Sequence, residues 1–283
     1  MTEMSKKKLI ISPQAGFGNR LRALCSAKLL GLLTGREVYH FWIKDSALSI
    51  VDHVNYMKET DPTHFFDIKI PLFEGTHVDV CFTEWMPDDG WYKEQSTAQS
   101  HLIFDHRIKS KRAEPFQDAS EIASSSADII LVETSLELRL PHMESFQEML
   151  MSQIYQENFQ PAGRWKEMLE SLPVIENGVS IRRGNLMKYY PEADISVEKM
   201  CEKISLLNGP KIIFSDDSEY LEKIRTKSNC PLNIDGLTKI LSPVEFSFVQ
   251  FLFLAKCKNV FGTKNSSFPK QAAIFGGRPY YSL

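Results

Sequence analysis

Val179-Ser180-Ile181-Arg182-Arg183-Gly184-Asn185 passes from an apolar run directly into two arginines, a glycine and an asparagine. A short apolar run closed by a polar turn reads as a buried strand meeting a loop. The figure recurs downstream. Residues 196–207 read as a helix, 211–214 as a strand, 219–227 as a helix and 232–234 as a strand. A helix over 244–257, a strand over 259–261 and a final helix near 269–275 complete the run. Strands that alternate with helices imply a parallel sheet covered on both faces.

Upstream the same alternation begins at Leu9-Ile10-Ile11, a strand that ends at Ser12-Pro13. Leu21, Leu24, Cys25, Leu29, Leu32 and Leu33 then recur at helical spacing between Asn19 and Thr34, with Gly35 as the C-terminal cap. Residues 38–42 and 129–132 read as strands, and the aromatic segment between them has no clean period. Over 140–159 the spacing predicts a helix with Met143, Phe146, Met149, Leu150 and Ile154 on one face. A second helix follows over 164–172, and Pro173 to Gly178 reads as a hinge. The expected architecture is α/β: two Rossmann-like domains, 1–175 and 176–283, with a cleft between them.

The chain has 283 residues, 43% hydrophobic and 24% charged, which excludes intrinsic disorder. Its 33 Lys+Arg against 36 Asp+Glu argue against a nucleic-acid partner. Phe246 to Ala255, broken by Ser247 and Gln250, falls short of the ~20 residues a membrane span needs. Lys6-Lys7-Lys8 is followed by only three apolar residues, so no secretory signal is read. Five cysteines, an odd number without a C-x-x-C pair, suggest reduced thiols and a cytoplasmic protein.

Four constellations can carry chemistry. Gly16-Phe17-Gly18-Asn19-Arg20 lies between a strand and a helix, where backbone N–H groups approach an anion or sugar. It completes neither G-x-G-x-x-G nor a P-loop, and a tight βα turn capped by Asn19 is the favoured reading from spacing alone. Arg182-Arg183 sits at the carboxyl end of a strand, where ligands bind in open α/β sheets. Neighbouring strand residues point to opposite faces, so one guanidinium is aimed inward and needs an anionic partner. A diphosphate suits its fork, and a structural carboxylate is the plainer alternative. Phe214-Ser215-Asp216-Asp217 is either a helix start, with Asp216 and Glu219 as a capping box variant, or a site that accepts hydrogen bonds from a nucleoside. Gly262-Thr263-Lys264-Asn265-Ser266-Ser267-Phe268-Pro269 enters the last helix. Its hydroxyls and free N–H groups would hold phosphate oxygens or simply cap the helix.

These segments, in this order, resemble the fucosyltransferase superfamily: α1,2-, bacterial nodulation α1,6- and protein O-fucosyltransferases. Gly16 to Asn19 is similar to the family's G-x-G-N, Ser180 to Asn185 to H-x-R-R-G-D, Phe214 to Asp217 to F-S-D-D, and Asn265 to Ala273 to N-S-S-F-S-W-W-A-A. The resemblance implies a GT-B fold with the nucleotide sugar bound mainly by the C-terminal domain. It makes Arg182 the essential arginine on the donor diphosphate and Arg183 its supporting neighbour. It makes Gly16 and Gly18 donor-binding, places Asn19 near the reaction centre facing the acceptor or donor phosphate, and puts Asp216 or Asp217 on the guanine or ribose. Asn265, Ser266 and Ser267 go to the β-phosphate. Ser180 and Asn185 depart from the motif's histidine and aspartate. Pro269, Lys270 and Gln271 replace the serine and paired tryptophans.

The implied activity is inverting, metal-independent transfer from GDP-fucose to a hydroxyl of an oligosaccharide or glycan acceptor. UDP-xylose or another UDP-sugar is the second donor, since small soluble relatives of large algal viruses use such donors. A bacterial or viral origin is expected, and neither a metal nor another cofactor. Among acidic residues past the arginines, Glu192 is the expected general base, although Glu192 and Asp194 also suit capping of the helix near Ser196. A sulfotransferase-like enzyme and a non-catalytic glycan-binding protein are the rival classes.

Overall fold

The computed structural model describes residues 7–13, 16–40, 62–73, 101–105, 116–134, 136–184, 191, 194–228 and 234–283. The chain divides into two compact units. One holds the described residues up to Gln160 except His64–Phe66; the other joins His64–Phe66 to Pro161–Leu283. This division falls earlier than the hinge expected at 173–178.

In the first unit, β1 (Lys8–Pro13) and β2 (Glu37–His40) flank α1 (Phe17–Thr34) in the chain. The short strand β3 (Phe66–Ile68), whose first residue belongs to the second unit, comes next, followed by β4 (His101–Asp105), β5 (Phe116–Asp118), α2 (Ser120–Ser124), β6 (Ile129–Thr134) and β7 (Glu137–Arg139). The main sheet has the order β2-β1-β6-β4, all parallel, with Leu9 opposite both Val38 and Ile130. Leu9, Ile10 and Ile11 are all buried, as an inner parallel strand requires. Gly35 ends α1 in the left-handed conformation, φ 68°, and its N–H donates to the Gly31 carbonyl. A Cβ at Gly31 would lie 2.1 Å from Val38 Cγ2, so glycine lets the helix close on β2.

The helix expected over 140–159 is α3 (Glu144–Asn158), and its buried face differs from the expected one. Phe146 and Met149 are 43% and 66% exposed, while Gln147 is 1% exposed. Gln147 accepts the Leu140 backbone N–H at 2.8 Å and donates to the Leu138 carbonyl at 3.2 Å. A buried amide that satisfies two backbone groups outweighs one phenyl and one thioether side chain left in water.

After β8 (Phe159–Pro161), which pairs with β3, the second unit runs through α4 (Arg164–Ser171), β9 (Asn177–Ile181) and α5 (Val197–Ser205). It continues with β10 (Lys211–Ser215), α6 (Ser218–Ser228), α7 (Pro243–Lys256) and β11 (Asn259–Gly262), and ends with α8 (Ser267–Gly276) and β12 (Tyr280–Ser282). Its sheet order is β10-β9-β11-β12, again parallel throughout. Val179, Ile181 and Ile213 pack with Met200, Ile204, Leu221 and Ile224 of α5 and α6. Gly178 turns the other way, where a Cβ would meet Cys257 Sγ at 2.8 Å and Leu254 at 2.9 Å.

Three features were not foreseen. β12 adds an edge strand beyond the last expected helix. Most of the strand expected over 232–234 lies outside the described residues, and Ile234 leads into a 3₁₀ turn over Asp235–Lys239. Phe65 and Phe66 sit within the aromatic core of this unit: Phe65 lies 4.6 Å from Phe248 and Phe66 5.0 Å from it, ring centre to ring centre. Trp165 Nε1 donates to the His64 carbonyl at 2.8 Å, fixing the segment.

Candidate functional site

Three parallel strands of the second unit end side by side, and each opens into one of the polar segments the sequence singled out. Past β9 come Arg182-Arg183-Gly184, past β10 Asp216-Asp217, and past β11 Thr263. Hydrogen bonds tie the three together. The Arg182 backbone N–H donates to Thr263 Oγ1 at 2.9 Å, and the Thr263 N–H donates to the Ser180 carbonyl at 3.1 Å. The Arg183 N–H donates to Asp216 Oδ1 at 2.7 Å.

The two arginines part company. Arg183, with a side chain 23% exposed, is the inward one and is engaged by protein at Nη1 and Nε. Its Nη1 lies 2.8 Å from Asp194 Oδ1 and donates to the Ile195 carbonyl at 3.1 Å. Its Nε lies 3.3 Å from Asp217 Oδ2, and its guanidinium stacks 4.0 Å from the Tyr220 ring centre. Burial pushes the Tyr220 hydroxyl up, and Arg183 pulls it partly back. Arg182 has a side chain 42% exposed and one carboxylate neighbour among the described residues, Asp216 Oδ2, 3.5 Å from its Nε. Its two Nη groups have no protein partner there.

The aspartates expected on a nucleoside are both engaged in protein contacts. Asp216 serves the Arg182–Gly184 loop. Asp217, and not Asp216, caps α6: its Oδ1 accepts the Tyr220 N–H at 2.9 Å. Asp194, a candidate cap or base by sequence, is the partner of Arg183. The cap of α5 is Ser196, whose Oγ accepts the Lys199 N–H at 3.4 Å.

Beyond Thr263, Asn265 takes a left-handed φ of 65°, a conformation asparagine tolerates, and turns the chain into α8. Ser266 occupies the N-cap position without making a side-chain cap bond. It is 5% exposed, and its Oγ is buried without a hydrogen-bond partner among the described residues. The Ser266 N–H donates to the Thr263 carbonyl at 3.0 Å, which links this hydroxyl to the residue that holds Arg182. Ser267 is half-buried in the first turn of α8, where free N–H groups and the helix dipole favour an anion.

In the first unit, Gly16 is the N-cap of α1, with no side-chain cap bond, so Asn19 lies inside the helix and does not cap it. Gly18 is buried and Asn19 half-buried. Arg20, which the sequence passed over, is 2% exposed, and burial lowers its guanidinium to about 10, still cationic at neutral pH. Glu192 and Asn185 lie outside the described residues.

Solved structures share this architecture. Over 100% of this chain and 71% of the other, it superposes on a mutant of Arabidopsis thaliana FUT1 in complex with GDP, with a TM-score of 0.57 and 14% identity. The fucosyltransferase NodZ from Bradyrhizobium matches over 94% of this chain and 93% of its own, with a TM-score of 0.54 and 18% identity. The chain has the fold of the fucosyltransferases. POFUT1 in complex with GDP-fucose matches over 100% and 99% of the two chains, TM-score 0.51 and 11% identity. No family model matches the sequence, and no curated protein matches it by sequence. A mixed α/β fold with parallel sheets is therefore common to this chain and the GT-B fucosyltransferases at low identity. No helix among the described residues is long and apolar enough to cross a membrane.

Proposed function

We propose that this chain is a glycosyltransferase that takes a sugar from a nucleotide-diphosphate donor, with GDP-fucose the first candidate. One observation carries the reading. Among the described residues, beside a cationic fork with no protein partner on its Nη groups stands a buried, unpartnered hydroxyl at a helix N-terminus, Arg182 and Ser266, joined through Thr263. A group with several anionic oxygens completes both. The solved structures of the same fold, bound to GDP or GDP-fucose, support a nucleotide sugar as that group.

In this reading an acceptor hydroxyl oxygen bonds to the anomeric carbon as the bond from that carbon to the β-phosphate oxygen breaks. The electron pair leaves with the nucleoside diphosphate, and the acceptor proton goes to a base, for which Glu192 is the candidate. Inversion follows from a single displacement. Charge on the departing diphosphate is met by Arg182, Ser266, Ser267 and the N–H groups of α8, without a metal, in fixed orientation before the reaction. Arg183 holds the loop from which Arg182 projects. Gly16 and Gly18 help to bind the donor, and Asn19 faces the acceptor or the donor phosphate.

The test combines ligand stabilisation with turnover. Thermal shift against GDP, UDP, 3′-phosphoadenosine-5′-phosphosulfate and free sugars should give stabilisation by GDP first. UDP would point to a UDP-sugar such as UDP-xylose, the phosphosulfate to a sulfotransferase, and sugar alone to a glycan-binding protein. Release of GDP from GDP-fucose with a glycan acceptor measures the transfer. Absence of nucleotide release and of nucleotide binding rejects the proposal.

A further inference from the structure

We propose that Asp216 is a positioning residue for Arg182, fixing the guanidinium by its Nε edge so that the paired Nη donors remain available to the diphosphate. The inference rests on Arg182 as the diphosphate-binding arginine. Asp216 Oδ1 accepts the Arg183 N–H at 2.7 Å and stands 3.4 Å from the Gly184 N–H. Those two backbone donors anchor Oδ1, and Oδ2 stands 3.5 Å from Arg182 Nε. Gly184 makes room for this: a Cβ there would lie 2.9 Å from Asp216 Oδ2.

The geometry separates positioning from mere pairing. Both side chains are about a third exposed or more, 42% and 36%, so the ion pair contributes little stability by itself. A carboxylate on the Nη edge would compete with phosphate for the same two parallel donors. On the Nε edge it leaves that fork open and removes rotamer freedom that binding would otherwise have to freeze. Arg183 shows the contrast, since Asp217 takes its Nε and Asp194 also occupies its Nη1.

A double-mutant cycle on the full chain tests this with GDP as the probe. Asp216→Asn keeps an amide oxygen for the Arg183 and Gly184 N–H groups and places a donor, which cannot accept, toward Arg182. GDP binding should weaken about tenfold in the Arg182 background and less than about twofold in an Arg182→Ala background. Gly184→Ala, which displaces the carboxylate without altering it, should repeat the pattern and covers the case in which Asp216→Asn folds poorly. Equal losses in both backgrounds, or no loss in either, overturn the positioning role. A wild type that binds neither GDP nor UDP rejects the donor reading and the inference together, a result distinct from wild-type binding without coupling.

Discussion

Thr263 Oγ1 accepts the backbone N–H of Arg182 at 2.9 Å, joining the ends of β9 and β11 where the candidate site lies. Thr263→Val keeps the shape and removes the acceptor. The loss should be about 1 kcal/mol of stability, read by chemical denaturation, because a partly buried N–H loses its partner. Nucleotide release should fall by more than that stability loss alone explains, since the arginine backbone is then free to drift.

Arg182 and Arg183 are adjacent in sequence and should give opposite phenotypes. Arg182→Ala should leave the melting temperature close to wild type and abolish most turnover. Arg183→Ala strips the partner from Asp194, Asp217 and the Ile195 carbonyl, and should cost about 1–3 kcal/mol of stability. Differential scanning calorimetry beside a GDP-release assay decides this, and equal melting temperatures would count against the structural role of Arg183.

Ser266→Ala should separate binding from folding in another way. The native hydroxyl is buried without a partner among the described residues, so its removal should leave stability unchanged or raise it by about 1 kcal/mol. Affinity for GDP should drop, because the oxygen proposed to meet a phosphate is gone. Titration calorimetry with GDP gives the answer.

Acid should loosen α7 at its start. Burial alone would raise the Glu245 carboxyl. The Ser242 backbone and hydroxyl, His64 and Arg164 together outweigh it and hold the group below its ordinary 4.5. A depressed carboxylate contributes stability above its unfolded value and loses it as pH falls through the lower folded value. Melting temperature measured down through that window should fall faster in wild type than in Glu245→Gln, which lacks the titration.

Much of the second unit was legible along the chain. The apolar runs of β9, β10 and β11, and the arginines, aspartates and serines at their ends, are patterns within a few residues. Gly35 as the cap of α1 was legible for the same reason. The dependence of α3 on Gln147 was not, because the two carbonyl and amide groups it satisfies belong to Leu138 and Leu140, beyond the helix. Capping by Asp217 in place of Asp216 turned on where the first helical N–H fell, a matter of one residue that composition does not distinguish.

Local order could state that polar groups gather at the carboxyl ends of parallel strands, since period and punctuation are properties of neighbours in the chain. Which carboxylate meets which guanidinium could not be stated there. Asp194 and Asp217 go to Arg183 and Asp216 to Arg182 because strand register and the seats of α5 and α6 bring separate segments within hydrogen-bond reach. The insertion of Phe65 and Phe66 among Trp165 and Phe248 has the same origin. Burial rewards whichever aromatic segment packs, however far away in the chain it begins.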